Sequence, residues 1–321
     1  MDRVDRKPIP ARGDEVRCFS VGRNEAVRIP RFLEYHRTLG VDRFFYVDND
    51  SNDESLDLLL AEDSVHVWTT RRLYRDARFG VDWQEELLRQ FGVGHWSLML
   101  DIDELFYFPY CDKGRSFTAF LQSLEADGRV LAKSMMLDMY SDRSIAETIL
   151  LPGKTLLETC PFFDRPRFLD LFFQKDFQRL QWLYNQGVRQ RLFSAPANVR
   201  KYVLLKYDPA MRLSAGHHHF PGPPGGLSAE RTFLFHFKFL QGFEEYSRES
   251  VERECHWAMS AEYRNYLARL ESEPGLSLYD ARRSIRFRDT STFVENRMIF
   301  PPGSTRRLAT IPSALLSMLL K

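Results

Sequence analysis

The sequence predicts an α/β fold, a parallel sheet joined by right-handed helical crossovers, and three observations carry that prediction. Short apolar runs alternate with amphipathic helical patterns through the first hundred residues. Polar clusters follow the first, second and fourth of these runs, at the strand ends where open α/β sheets bind ligands. No internal repeat, low-complexity tract or long Gly/Ser/Pro-rich linker divides the 321 residues, so they read as one large domain with appendages.

In chain order, VRCFSV (16–21) is a buried strand and IPRFLEYHRTLG (29–40) an amphipathic helix closed by Gly40. RFFYVDND (43–50) is the second strand, followed by Ser51, a helix cap at Asn52 or Asp53, and the helix ESLDLLLAE. The strand SVHVWTT (64–70), a helix through WQEELLRQFG (83–92) and the strand WSLMLDID (96–103) complete a βαβαβαβ order. Farther on, 129–140 and 201–207 read as strands, and GVRQRLFS (187–194) as a turn entering a strand. RTFLFHFKFL (231–240) is a strongly apolar strand that places His236 and Lys238, two residues apart, on one face. Residues 242–272 read as one long polar helix carrying Tyr246, Trp257, Tyr263 and Tyr266. Residues 141–186, rich in Phe, Pro and Asp, give no assignable pattern.

Charge and cysteine usage narrow the function classes. With 45 Lys and Arg against 44 Asp and Glu, the net charge of +1 provides no global field to recruit nucleic acid, so any anion site is local. Cys18, Cys111, Cys160 and Cys255 are far apart and form no CxxC pair, which suits a reducing compartment. The charged N-terminus lacks an apolar signal region, and no stretch reaches the roughly 20 apolar residues needed to span a bilayer. A cytoplasmic location is expected. TRRLATIPSALLSMLLK (305–321) is expected to be a closing helix on the core; the alternative is peripheral association at the inner face of a membrane.

Five clusters are candidates for chemistry. Asp101 and Asp103 close the fourth strand with both side chains on one side and Ile102 turned into the core. Two like charges there call for a counter-cation, and oxygen ligands suit Mg²⁺ or Mn²⁺; a helix cap or solvated loop is the plain alternative. The run from Asp48 to Asp53 is either a simple turn or the acidic contact that a nucleoside meets at a second strand. His236 and Lys238 are either a satisfied histidine with a snorkelling lysine, or imidazole for a metal and ammonium for a phosphate. In AGHHHF (215–220) no cysteine stands at zinc-site spacing, and Arg189 with Arg191 is read as a same-face pair for anions or an exposed ion-paired edge. Dinucleotide and P-loop readings are disfavoured, since neither GxGxxG nor GxxxxGK[ST] occurs.

Taken in order, SVGRNEAVRIPRFLEYHRTLGVDRFFYVDNDSNDES, HWSLMLDIDELFYFP, GVRQRLF, GHHHF and FLFHFKFL resemble the family-2-like glycosyltransferases related to glycosyltransferase family 92. The likeness covers about residues 15–265. It implies a GT-A fold of the nucleotide-diphospho-sugar transferase type: a mixed, mainly parallel sheet flanked by helices, with a C-terminal helical extension. The domain plan is then an arm at 1–14, the transferase domain at 15–240 and the extension at 241–321. Asp101, Asp103 and His236 would hold Mn²⁺ or Mg²⁺. Val21, Arg23, Glu25, Asp48 and Lys238 would meet the donor nucleotide and phosphate. The implied partners are a nucleotide-sugar donor, UDP-sugars first, and a glycan or lipid-linked acceptor in surface-glycan or polysaccharide synthesis. Two departures stand out: Arg23-Asn24-Glu25 replaces the usual K-N-E, and Asp50 takes a turn position that favours glycine. An inverting transferase also needs a carboxylate to deprotonate the acceptor, for which Asp164, Asp170 and Glu158 are the candidates. The competing classes are a nucleotidyltransferase on a similar fold and a non-catalytic carbohydrate-binding protein.

Overall fold

The computed structural model describes residues 1–166, 187–195, 198–219, 221–222 and 226–300. Asp170 and the segment 305–321 lie outside the described residues. The N-terminal half folds as β1 (Asp2–Arg3), β2 (Arg17–Gly22), α1 (Ile29–Leu39), β3 (Arg43–Asp48), α2 (Ser55–Leu60), β4 (Val65–Thr69), α3 (Val81–Phe91) and β5 (Trp96–Asp101). There follow β6 (Glu104–Tyr107), α4 (Phe117–Ala126), β7 (Leu131–Tyr140), α5 (Leu156–Thr159), β8 (Phe162–Asp164), α6 (Gly187–Phe193) and β9 (Arg200–Lys206). The chain continues through β10 (Thr232–His236), α7 (Phe243–Arg253), α8 (Trp257–Ser272), β11 (Ser284–Arg286) and α9 (Thr290–Glu295).

The main sheet runs β1-β4-β3-β2-β5-β9-β7-β10-β6. Strands β2, β3, β4, β5, β7 and β10 point one way, while β1, β9 and β6 pair antiparallel with their neighbours. The result is a mixed, mostly parallel α/β sheet. Strand alternation gives it two covered faces, as a parallel sheet requires. Cys18, Leu98 and Leu100 pack with Phe32, Leu33 and Phe120 on one face; Phe19 and Met99 pack with Trp83 and Leu87 on the other.

Register positions the site. Val21 stands opposite Asp101 and Val47, and Gly22 opposite Asp48, so the polar segments after β2, β3 and β5 emerge along one edge as their order requires. At the far side His236 lies between Asp138 and Glu104, and the Phe237 N–H donates to the Asp103 carbonyl at 2.7 Å. The edge therefore gathers residues more than a hundred positions apart.

Local chemistry explains the boundaries. Gly40 ends α1 at φ 116°, its N–H reaching the His36 and Arg37 carbonyls. Asp53 accepts the Ser55 N–H at 2.9 Å at the start of α2, and Asp50 adopts φ 61°, the left-handed turn geometry that its departure from glycine raised. Three expectations are corrected. Residues 187–193 form a helix, so Arg189 and Arg191 are about 200° apart around its axis and share no face. The segment 242–272 is two helices, broken at Glu254, which takes φ 48°. Strand β10 ends at His236, placing Lys238 in the turn that follows.

Candidate active site

A cavity of about 770 Å³ opens at this sheet edge, walled on its other side by α7 and α8. It falls within the range of about 300–1,000 Å³ usual for small-molecule sites. Val21, Arg23, Glu25, Asp101, Asp103, His236 and Lys238 all line it. Seven positions from three separate sequence segments thus meet around one space.

Its floor is a chain of charged groups. His236 faces Asp103 Oδ2 through Nε2 at 3.1 Å and Asp138 Oδ1 through Nδ1 at 2.7 Å. Arg189 Nε donates to Asp138 Oδ2 at 2.8 Å, and its Nη1 lies 3.4 Å from Glu262 Oε1. Burial opposes a charged imidazole, yet the carboxylates on either side raise the His236 pKa. Burial likewise works against the Asp103 anion, but His236, and more weakly Arg28 and Lys238, hold its carboxyl well below the usual range. Asp138 comes down to about 2, Arg189 and His236 overcoming its burial.

Asp101 is held differently. Lys201 Nζ lies 2.6 Å from Asp101 Oδ2 and 2.6 Å from Glu104 Oε1, with the lysine and glutamate side chains buried. Against its burial, Lys201 draws the Asp101 pKa down. Glu104 is pushed up to about 7, chiefly by burial, with Asp101 adding to it and Lys201 opposing. Sequence reasoning missed Lys201 and Asp138. Each is a charge within a largely apolar strand, RKYVLLK and LAKSMMLDMY, and a buried ion in such a run signals a buried partner.

At the opposite end Arg23 Nε donates to Glu249 Oε1 at 3.1 Å and its Nη1 to the Asn49 carbonyl at 3.2 Å, tying the loop after β2 to α7. Glu25, paired with Arg28 at 2.9 Å, is raised to about 7 by burial, with Asp103 and Asp101 adding to the effect of burial against Arg28. Gly22 admits no side chain, because a Cβ there would come 2.2 Å from the Tyr46 hydroxyl. Asp48 is buried beneath this end and is not among the cavity-lining residues: Oδ2 accepts the Ser51 N–H at 3.0 Å, while Oδ1 and the Tyr46 hydroxyl have no hydrogen-bond partner among the described residues.

An aromatic series rises from the floor to the mouth. Lys238 Nζ donates to the Tyr263 hydroxyl at 3.1 Å; the Tyr263 and His256 rings are 4.4 Å apart, and His256 and Tyr74 are 5.7 Å apart. Tyr74 lies 6.0 Å from Phe79, which meets Trp257 at 5.7 Å. Phe79 itself takes a left-handed φ of 57°, and the three residues that follow Trp257, Ala258, Met259 and Ser260, have φ 49°, 54° and 63°. Each such non-glycine residue costs about 1–2 kcal/mol, a strain often found at ligand clamps.

Other expected groups lie elsewhere. Asp164 receives a two-pronged ion pair from Arg191 at 2.9 Å and the Tyr140 hydroxyl, and it does not line the cavity. Glu158 is in a capping box with Thr155 on the exposed α5, also outside the cavity. Of the three histidines, buried His217 meets Gln84 Oε1 at 2.7 Å through Nε2, and His218 Nδ1 is 2.6 Å from the Arg200 carbonyl. They form a hydrogen-bonded wall, with no zinc cluster among the described residues.

Asp103 and His236 fit a hard or borderline divalent cation. Among the described residues no three His, Cys, Asp or Glu side chains form a ready-made cage. Mg²⁺ and similar ions are commonly held by one or two carboxylates, water and substrate phosphate instead. Asp138 meets His236 at Nδ1, the place from which a carboxylate would orient the ring if Nε2 held a cation.

No family model matches the chain. A 95-residue stretch is 35% identical to a glycosyltransferase family 92 protein of Arabidopsis thaliana, covering 27% of this chain and 15% of that protein's length. Among solved structures, a 4-diphosphocytidyl-2C-methyl-D-erythritol synthase from Anaerococcus prevotii aligns with 41% of this chain and 59% of its own, at 12% identity and a TM-score of 0.25. A Bacillus anthracis protein described as a glucose-1-phosphate thymidylyltransferase aligns with 44% of this chain and 62% of its own, at 8% identity and a TM-score of 0.26. Among the described residues no helix is long and apolar enough to cross a membrane.

Proposed function

We propose that this chain is a metal-dependent glycosyltransferase that moves a sugar, a hexosyl group in the first instance, from a nucleoside-diphosphate donor to an acceptor hydroxyl. The observation that carries the reading is the convergence of Asp103, His236 and its supporting Asp138 at the edge where open α/β sheets bind nucleotides. The partial likeness to a family 92 glycosyltransferase protein supports it. UDP-sugars are the first donors to test, and a surface glycan or polysaccharide is the acceptor class that the resemblance suggests.

In this reading residues 15–240 form the transferase domain, and α7 and α8 of the C-terminal extension close its cavity. Asp103 and His236 would hold Mn²⁺ or Mg²⁺, with Asp101 beside them kept ionised and oriented by Lys201. The cation, when bound, supplies positive charge to the departing diphosphate. His236 donates Nδ1–H to Asp138, which fixes the ring and leaves Nε2 for the ligand; without a cation, a proton on Nε2 serves the same electrostatic purpose toward Asp103. Lys238 adds a second positive charge on the phosphate side. Val21 and Arg23 line the nucleoside end with Glu25, while Asp48 shapes the turn below it.

Transfer breaks the bond between the sugar anomeric carbon and the phosphate oxygen, whose electron pair leaves with the diphosphate. The acceptor oxygen bonds to the same carbon and its proton passes to a base. Asp164 and Glu158 are committed elsewhere, which leaves Asp170 as the one of the three expected bases still eligible. Thermal denaturation with UDP, GDP and CDP, each with and without Mn²⁺, tests the reading, because ligand binding raises stability by mass action. A metal-dependent rise with one nucleotide is expected; no rise with any of them contradicts it.

A further inference from the structure

The aromatic series at the cavity mouth has no part in the chemistry assigned above. Trp257 is 74% exposed although it lines the cavity, and nearby Met259 is 55% exposed. Apolar side chains grouped at the mouth of a cavity, unlike scattered ones, mark an interaction site. The rings do not form a continuous oily trough. Arg75 Nη1 donates to the Glu254 carbonyl at 3.2 Å and pairs with its carboxylate at 3.7 Å, Arg253 pairs with Glu249 at 3.2 Å, and Asn265 also lines the cavity. Flat apolar faces beside charged and amide groups match a sugar ring, whose C–H face packs on an aromatic ring while its hydroxyls hydrogen-bond around the edge. A lipid chain would strip water from those charged groups and offer nothing polar in its place.

We propose that Phe79 and Trp257 form a stacking subsite for a sugar unit of a glycan acceptor, outboard of the donor-binding floor. This rests on the transferase reading and gives its acceptor a class and a seat. The left-handed backbone at Phe79 and just after Trp257 is consistent with aromatic side chains held out toward a ligand.

The test uses the full chain on a printed array of structurally diverse oligosaccharides, with wild type, Trp257→Ala and Trp257→Phe. Trp257 is exposed, so neither substitution threatens the core. Wild type is expected to bind a subset of glycans, Trp257→Ala to lose at least tenfold in affinity for them, and Trp257→Phe to recover much of it. Mn²⁺-dependent nucleotide binding, followed by thermal denaturation, should stay within twofold in both variants. The proposal is overturned if no glycan binds, if Trp257→Ala binds the same glycans equally, or if that variant loses nucleotide binding, which would make the pair a donor clamp. Binding to phosphatidylglycerol vesicles in place of glycans would overturn it too. Glycan binding without any nucleotide binding would refute the transferase reading alone; the converse would refute only the stacking subsite.

Discussion

Replacing Lys201 by methionine keeps much of its aliphatic bulk and removes the charge that Asp101 and Glu104 share. At an effective dielectric of about 20, one unit pair at 2.6 Å interacts by roughly 6 kcal/mol before desolvation is subtracted. Removing one member of a buried pair usually leaves a net loss of about 3–5 kcal/mol. Glu104 is fully buried and Asp101 is 42% exposed, so most of that loss falls on Glu104, while water screens Asp101. The expected result in urea unfolding at pH 9, where a Glu104 carboxyl with a pKa of about 7 is ionised, is a loss of about 3 kcal/mol with an unchanged denaturant slope. Adding Glu104→Gln removes the stranded carboxylate and should return at least about 2 kcal/mol, a coupling that a double-mutant cycle isolates. A loss under about 1 kcal/mol, or no recovery in the double variant, would refute the view that Lys201 is the internal counter-ion of this edge.

Asp138→Asn should leave the fold in place but weaken Mn²⁺ binding by about 10–100-fold in calorimetry, because the ring that presents Nε2 loses its carboxylate; equal affinity would deny Asp138 that role. Gly22→Ala forces a methyl group against the Tyr46 hydroxyl and should cost about 1–3 kcal/mol, with recovery when Tyr46→Phe is added. His36 is buried, with its pKa pushed down to about 3, so it stays neutral in the folded state while the unfolded state takes up a proton below about pH 6.5. The unfolded state then binds more protons, and stability falls on acidification by about 1.4 kcal/mol per pH unit from this ring. Urea unfolding between pH 6.5 and 5 should therefore show a flatter pH dependence for His36→Gln than for wild type; parallel curves would contradict the assignment.

The N-terminal half was legible because burial and period agree there. RFFYVD and WSLMLD are apolar runs of strand length, IPRFLEYHRTL has a helical apolar stripe, and Gly40 ends it; the structure departs from these readings by only a few residues. The shared edge followed from strand order alone, which brought the segments around Arg23, Asp101 and Asp103 together. The later chain was harder because tertiary partners determine it. GVRQRLF is too short to separate helix from strand by period, and the destinations of its two arginines, Asp138 and Asp164, are known only from packing. The break at Glu254 carries no glycine or proline to announce it. Lys201 and Asp138 looked like exceptions inside apolar strands, and their meaning depended on partners about 100 and 98 positions away. Glu158 and Asp164 stand in a segment without a readable pattern, and local capping and an arginine pair account for them.

The central claim is tested most directly by nucleoside-diphosphate release across a panel of UDP-, GDP- and CDP-sugars, with Mn²⁺ and then with chelator, on wild type and Asp103→Asn. The account predicts release from one donor class, its loss with chelator, and its loss in Asp103→Asn while the variant remains folded. Release that persists unchanged in both the chelated enzyme and the variant would contradict it.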